Sequence, residues 1–284
     1  MPVLNSIKER AARWFCRHRR GYPWRWAGQM SYLLWRAYEN RNFDIRTNGE
    51  EWYLRQLGKP AGEIKCVFDV GANVGDWLLL CRRYSPGATI HAFEIAPPTF
   101  DKLQEKTGHL PNIVLNPVGL SDRNDEINVY YSGKQDGLTT AFKENLGVDF
   151  RMQGDKPIQP KLILARVIRG DDYVKQHGIE TIDVLKIDVE GMEESVLKGF
   201  QDTFSQRRIR LVQFEYNTTN IVSKFLLRDA HQFFARFDYR LGKLYPNYVD
   251  FRNYNYRHED FCGPNLIAIR NEDGEWLKLL APHL

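Results

Sequence analysis

No stretch of this chain approaches the roughly 18 consecutive apolar residues that a membrane-spanning helix needs. Cysteine is scarce: Cys16, Cys66, Cys81 and Cys262 are dispersed and form no C-x-x-C pair. That argues against a disulfide framework or a zinc site, and a reducing cytoplasm is the expected compartment. Cys66 and Cys81 flank a glycine turn on elements that read as buried, which suits small apolar roles. The N-terminus lacks the apolar core of a secretory signal, because Arg19, Arg20 and Arg25 interrupt it. Dinucleotide spacing is missing too: a G-x-G-x-x-G loop starting at Gly71 would need glycine at 73 and 76, where Asn73 and Asp76 stand.

What remains is an ordinary globular composition, 43% apolar and 27% charged, in 284 residues. That length buries one generous core, or one domain plus an appendage. The net charge of +4 is unevenly placed. Residues 1–46 hold ten Lys and Arg against Glu9, Glu39 and Asp44, and carry Trp14, Trp24, Trp26 and Trp35. Residues 1–58 are therefore expected to form a basic, Trp-rich helical extension, and 59–284 the main domain. A helical cap with a solvated basic side is one reading of the extension. Peripheral contact with an anionic membrane through residues 1–46 is another. Nucleic acid is not an expected partner.

Residues 67–77, Val-Phe-Asp-Val-Gly-Ala-Asn-Val-Gly-Asp-Trp, carry the strongest signal. An apolar run enters a turn containing Gly71 and Gly75, and an amphipathic segment follows from Trp77 to Tyr84. Strand, glycine turn and helix together let backbone approach a nucleotide-like ligand. Asp76 is unwelcome to a pyrophosphate, so a ligand with a cationic or neutral centre fits better. From residue 64 onward, strand-length apolar runs alternate with helical segments, the pattern of an α/β sheet. The expected strands are 64–70, 89–93, 113–117, 182–187, 209–214, 239–244 and 266–270. Residues 126–131 and 162–168 read as an inserted β-hairpin, with 133–160 between them as a loose tip.

The wording D-V-G-A-N-V-G-D-W, with K-I-D-V-E-G-M-E at 186–193, resembles the FkbM family of class I S-adenosylmethionine (SAM) methyltransferases. The likeness covers about residues 64–270, and Asn73 replaces the middle glycine of the family's first motif. It implies a Rossmann-like fold with a seven-stranded, mostly parallel sheet and an antiparallel last strand. It also implies O-methylation of sugar or polyketide-type hydroxyls, and it places the insertion beside the active site, so that 133–160 is a candidate substrate lid, with a disordered surface loop as the other reading.

Ligands of such sheets sit beyond the carboxyl ends of the strands, so the strand tips supply the candidate residues. Asp69, Gly71, Asn73 and Gly75 come from the first strand and its turn. Glu94 ends the second, where an acid can accept from both ribose hydroxyls. Ser121 and Asp122 follow the third and by resemblance lie beside adenine; a simple turn is the other reading. Asp188 and Glu190 follow the fourth, with Lys186 on the same face, either as catalytic acids or as a structural pairing with Lys186. Glu215 ends the fifth strand. Asp188, Glu190 and Glu215 are the candidate catalytic groups. Asp188, Glu215 and Asn217 are alternatively candidate ligands of a hard cation such as Mg²⁺. In the aromatic loop 245–263, Tyr248, Tyr254, Tyr256 and His258 are candidate contacts to a carbohydrate acceptor, and a packed surface loop is the competing reading.

The expected function is SAM-dependent O-methylation of a sugar, glycan or small-molecule hydroxyl. A polyketide-like acceptor, or a non-catalytic SAM-fold scaffold at a membrane surface, is the alternative. A nicotinamide-dependent enzyme is disfavoured by Asn73 and Asp76.

Overall fold

The computed structural model describes residues 2–59, 64–132, 139–145, 160–263 and 265–282. They fall into two compact units divided between Arg41 and Asn42. The smaller unit holds helices α1 (Pro2–His18) and α2 (Tyr22–Tyr38). Trp24 packs edge-on against Trp14 and Phe15, with ring centroids 4.8 and 5.0 Å away. Pro23 lies in the first turn of α2, where the missing N–H costs nothing. No residue of α2 is buried, and Trp26, Leu33 and Leu34 are exposed.

The unit boundary falls well before the expected break at 58/59, for a packing reason. Helix α3 (Glu50–Leu57) places Tyr53, Leu54 and Leu57 in the core of the second unit. Full burial of such side chains contributes about 1.5–3 kcal/mol each, enough to make α3 part of that domain.

In the second unit the chain continues through β1 (Cys66–Val70), α4 (Asp76–Tyr84), β2 (Thr89–Phe93), α5 (Pro97–Thr107), β3 (Ile113–Asn116) and β4 (Gly119–Ser121). Then come β5 (Asp125–Tyr131), β6 (Thr139–Thr140), β7 (Lys161–Arg169), α6 (Gly170–Gln176), β8 (Ile182–Ile187), α7 (Glu193–Gly199), α8 (Gln201–Ser205) and β9 (Ile209–Glu215). The last elements are α9 (Thr219–Ser223), α10 (Leu227–Arg236), β10 (Tyr239–Tyr245), β11 (Tyr248–Phe251), β12 (Asn265–Arg270) and α11 (Gly274–Leu280).

The main sheet runs β11-β10-β12-β9-β8-β1-β2-β3. Pairs from β3 through β9 are parallel, and β12 is antiparallel to both β9 and β10. This is the class I methyltransferase arrangement with its antiparallel last strand. The sheet has eight strands rather than seven, because Tyr248–Phe251 folds back on β10, with Leu244 opposite Val249. Burying Val249 while pairing the β10 edge makes a strand of residues read from sequence as loop.

Side chains alternate across the sheet, so both faces are covered. Phe68, Phe93, Phe200 and Phe214 fill one side. Val67, Trp77, Val184 and Leu211 fill the other with α3. The insertion is a second sheet, β4-β7-β5-β6, whose β5 and β7 form the expected antiparallel hairpin. Most of the candidate lid segment, 133–138 and 146–159, lies outside the described residues. Its described part, 139–145, is tied to the end of β8: Thr140 Oγ1 and Asn145 Nδ2 donate to the Glu190 carbonyl at 2.8 and 3.0 Å.

Candidate active site

The strand order reverses between β1 and β8, which places the crevice of an open α/β sheet at their carboxyl ends. A cavity of about 230 Å³ lies there, lined by Gly71, Asn73, Glu94, Asp188, Glu190 and Glu215 among others.

The β1 turn is built against β8. Asp188 donates its backbone N–H to Val70 O at 2.9 Å. A Cβ on Gly71 would lie 1.8 Å from the Asp188 carbonyl oxygen, so only glycine fits. Gly71 and Ala72 donate to Phe93 O at 3.0 and 2.9 Å, which ties the turn to β2 as well. Asn73 has φ +49°, the left-handed region that asparagine tolerates best after glycine. That accounts for asparagine at the usual position of a glycine. Gly75, at φ +87°, sits against Leu103 and Thr107 of α5, where a Cβ would come within 3.0 Å of both.

Glu94 is 5% exposed and both of its oxygens are placed. Oε2 accepts from Asn73 N at 3.0 Å and Oε1 from Ala96 N at 2.8 Å. Burial, offset in part by these bonds, pushes its pKa up to about 7. A carboxylate has about four acceptor directions, so two remain for ligand hydroxyls. Asn73 Oδ1 and Thr139 Oγ1, on cavity-lining residues, are buried without a hydrogen-bond partner. Unpartnered polar atoms of this kind are costly unless a ligand meets them.

Asp69 is fully buried and does not line the cavity. Lys186 Nζ lies 3.1 Å from Asp69 Oδ1, while Asp69 Oδ2 is buried without a hydrogen-bond partner. The same ammonium is 3.4 Å from Asp188 Oδ2 and 3.4 Å from Gly71 O. Burial works against the Lys186 charge, but Asp69, Asp188 and Glu50 outweigh it and hold its pKa above the ordinary value. Lys186 therefore fastens the tips of β1 and β8 together, the structural pairing that the alternation of Lys186 and Asp188 allowed.

Asp188, Glu190 and Glu215 converge, each offering an oxygen within 4.8 Å of the others. Strand β8 ends at Ile187, and Glu190 reaches the group from a turn in which it has φ +52° and Gly191 +108°. Burial, with Asp188 and Glu190 alongside, raises Glu215 well above the usual carboxylate range. Asn217 does not line the cavity; its Oδ1 accepts from Thr219 N at 2.7 Å. The amide oxygen expected as a metal ligand is thus spent on a turn.

Other expected contacts also fall outside. Gly119 and Leu120 line the cavity, but Ser121 and Asp122 do not; Ser121 is buried, and Asp122 pairs with Arg123 at 3.2 Å. Tyr248, Tyr254, Tyr256 and His258 are absent from the lining. Tyr248 stacks on Tyr245 with centroids 4.9 Å apart, and Tyr254 Oη donates to Glu259 at 3.0 Å. His258 Nδ1 accepts from Asn255 N at 3.2 Å, and Tyr256 is 70% exposed. The loop's organiser is Glu259, which also accepts from Tyr216 and from the N–H groups of Leu227 and Arg228 at 3.0 Å, capping α10. Tyr248, Tyr254, Tyr256 and His258 thus lie outside the cavity at the β1–β8 crevice, although His258 lines a smaller one with Arg252, Asp260 and Lys243.

Sequence reasoning missed Phe43, Asn48, Glu50 and Asn265, which also line the cavity. Three of them lie in a stretch assigned to the extension, and no local motif marks them.

Against known proteins, the Methyltransferase FkbM domain model matches residues 69–241, more than half of the chain. The chain belongs to the FkbM methyltransferase family. As a family member it is a SAM-dependent methyltransferase. It is 29% identical over 195 residues to the hexuronic acid methyltransferase AglP of Haloferax volcanii, covering 68% of this chain and 71% of that one. It is 33% identical over 170 residues to the 31-O-demethyl-FK506 methyltransferase FkbM of Streptomyces tacrolimicus, covering 52% and 64%. Among solved structures, the FkbM methyltransferase of Methylobacillus flagellatus aligns with a TM-score of 0.44 at 15% identity, over 73% of this chain and 44% of that one.

Proposed function

We propose that this enzyme methylates a hydroxyl group of a sugar or glycan, with the donor on the β1–β2 side of the cavity and the acceptor on the β8–β9 side. The observation that carries the reading is the convergence of Asp188, Glu190 and Glu215 on the cavity that Gly71, Asn73 and Glu94 also line. The residues fit the cofactor: Glu94 offers acceptor directions to a ribose diol, Asn73 Oδ1 awaits a donor, and Phe93, Ile95 and Leu120 give a flat base an apolar wall. Bound there, SAM supplies an electrophilic methyl group on a sulfonium centre. Orientation and proton removal are left to the protein.

Glu215 is the proposed base. Its raised pKa makes it a better proton acceptor than an exposed carboxylate. It takes the proton of the acceptor hydroxyl as that oxygen bonds to the methyl carbon and the bond to sulfur breaks. Asp188, oriented by Lys186, positions the hydroxyl. The sugar reading draws on the relative named for hexuronic acid. The relative named for 31-O-demethyl-FK506 keeps a polyketide-like hydroxyl as the second reading. A cavity lined by so many carboxyl groups favours a neutral acceptor over an anionic one.

A divalent cation of the Mg²⁺ type, held by Asp188, Glu190 and Glu215, is the alternative to unaided base catalysis, supported by the 4.8 Å grouping of their oxygens. Dialysis against a chelator separates the two: unchanged turnover supports the base, and loss restored by Mg²⁺ supports the metal. The function itself is tested by mass spectrometry of methyl glycosides incubated with enzyme and SAM. A gain of one methylene on the sugar supports it, and methyl transfer confined to non-sugar hydroxyls counts against it.

For residues 1–41 we propose attachment to an anionic lipid surface in the cytoplasm. Exposed Trp26, Leu33, Leu34 and Trp35 among basic residues support it. Co-sedimentation with phosphatidylglycerol vesicles falls on deletion of 1–41 if this is right, and stays the same if it is wrong.

A further inference from the structure

We propose that Asn48, Glu50 and Asn265 form a subsite for a second hydroxyl of the acceptor, beside the one that is methylated, so that the enzyme selects a polyol. The inference rests on the O-methyltransferase reading and adds a recognition element to it.

Glu50 begins α3 and is 8% exposed, yet it lines the cavity. Its side chain is fixed by amides. Gln213 Nε2 donates to Oε1 at 2.6 Å, and Asn48 Nδ2 donates to Oε2 at 2.7 Å. Glu50 N donates in turn to Asn48 Oδ1 at 2.9 Å. Lys186, an ammonium whose field lowers the Glu50 pKa, is itself engaged by Asp69 and Asp188. A carboxylate buried on amide donors is desolvated without an ion pair to repay it. Tyr53, Leu54 and Leu57 show that the same helix fills space with apolar groups where only packing is needed.

The carboxylate retains two acceptor directions after its two amide bonds. Asn265 accepts from Gln213 Nε2 through Oδ1 at 3.1 Å and so keeps its NH₂ group as a donor. Acceptor and donor side by side are what a hydroxyl needs. The subsite also adjoins the proposed base: Asn265 pairs with Glu215 across β12 and β9, and Gln213 is two residues before Glu215, about 7 Å along the strand. A single sugar ring spans that step. Ile95, Leu120, Ile127, Val129 and Val167 make another part of the lining apolar, and Asn48, Glu50 and Asn265 add a polar part beside Glu215. Gly49 sets the geometry: at φ +109°, a Cβ would lie 2.3 Å from Tyr245 O, and only glycine lets the chain pass there to aim Glu50.

The test uses the intact chain with SAM and the methyl glycosides of glucose, galactose, mannose, fucose and rhamnose, followed by deoxy analogues of the best acceptor lacking the hydroxyl next to the methylated one. Glu50→Ala and Glu50→Gln should raise the acceptor KM about tenfold while calorimetric affinity for S-adenosylhomocysteine stays within about twofold. The deoxy analogue should cost the wild type a similar factor and Glu50→Ala almost nothing. Where Glu50→Ala does not fold, the isosteric Glu50→Gln and the deoxy analogue on wild type give the same answer. Transfer with an unchanged acceptor KM in both variants overturns the subsite alone. S-adenosylhomocysteine binding without transfer to any glycoside overturns the sugar reading and the subsite with it.

Discussion

Asn73 donates its backbone N–H to Glu94 Oε2 at 3.0 Å, which joins the glycine turn after β1 to the acid at the end of β2. Turn conformation and acid placement are therefore one device, and substitutions at either residue should be felt at the other.

Asn73 separates the conformational part of that device from the chemical part. Asn73→Gly accepts φ +49° and should leave the melting temperature nearly unchanged, while weakening S-adenosylhomocysteine by a few-fold through loss of Oδ1. Asn73→Val carries a β-branched side chain into the left-handed region at a cost of about 1–2 kcal/mol, so it should lower both quantities. Thermal unfolding and calorimetry on the two variants check this.

The Glu94 carboxyl gives the site a pH signature. Its pKa is about 7 in the folded chain and near 4.5 when unfolded. The folded protein therefore holds the extra proton between those values. Its contribution to stability, about 3 kcal/mol, is full below about 4.5 and is lost as pH rises through about 7. Binding runs the other way, because the ionised form accepts the ligand hydroxyls. S-adenosylhomocysteine should bind about tenfold more tightly at pH 8 than at pH 6, and Glu94→Gln should flatten that dependence.

Lys186 fastens two strand tips, so its loss should appear in stability before chemistry. Lys186→Met leaves Asp69 buried without its partner, which should cost about 3–5 kcal/mol in chemical denaturation. Adding Asp69→Asn should recover part of that cost, and a double-mutant cycle measures how much.

Gly71→Ala forces a Cβ against the Asp188 carbonyl at 1.8 Å, and the turn must move away from β8. A loss of the order of 3 kcal/mol in stability, with no detectable cofactor binding, is the expected outcome.

Much of this fold was legible because parallel strands buried on both faces read as short apolar runs, and the glycine turn and the acids at strand ends are local in sequence. Glu94, Asp188 and Glu215 could be placed from strand tips alone. What was illegible depended on distant pairing. Glu50 meets Gln213, 163 positions away, and nothing near residue 50 announces it. The aromatics of 245–263 are the opposite case. Their composition suits a sugar, but Tyr248 stacks on Tyr245, and Tyr254 is bound to Glu259, whose carboxylate caps α10. Asp69 likewise suits a ligand contact by its place at a strand tip, but Lys186 on the neighbouring strand pairs with its Oδ1.

The division of the cavity into a donor side and an acceptor side is tested most directly by calorimetric titration of S-adenosylhomocysteine into wild type, Glu94→Ala and Glu215→Gln. The expected result is one site per wild-type chain, at least about tenfold weaker binding by Glu94→Ala, and near-wild-type binding by Glu215→Gln. Undiminished binding by Glu94→Ala, or a loss in Glu215→Gln as large as that in Glu94→Ala, would contradict it.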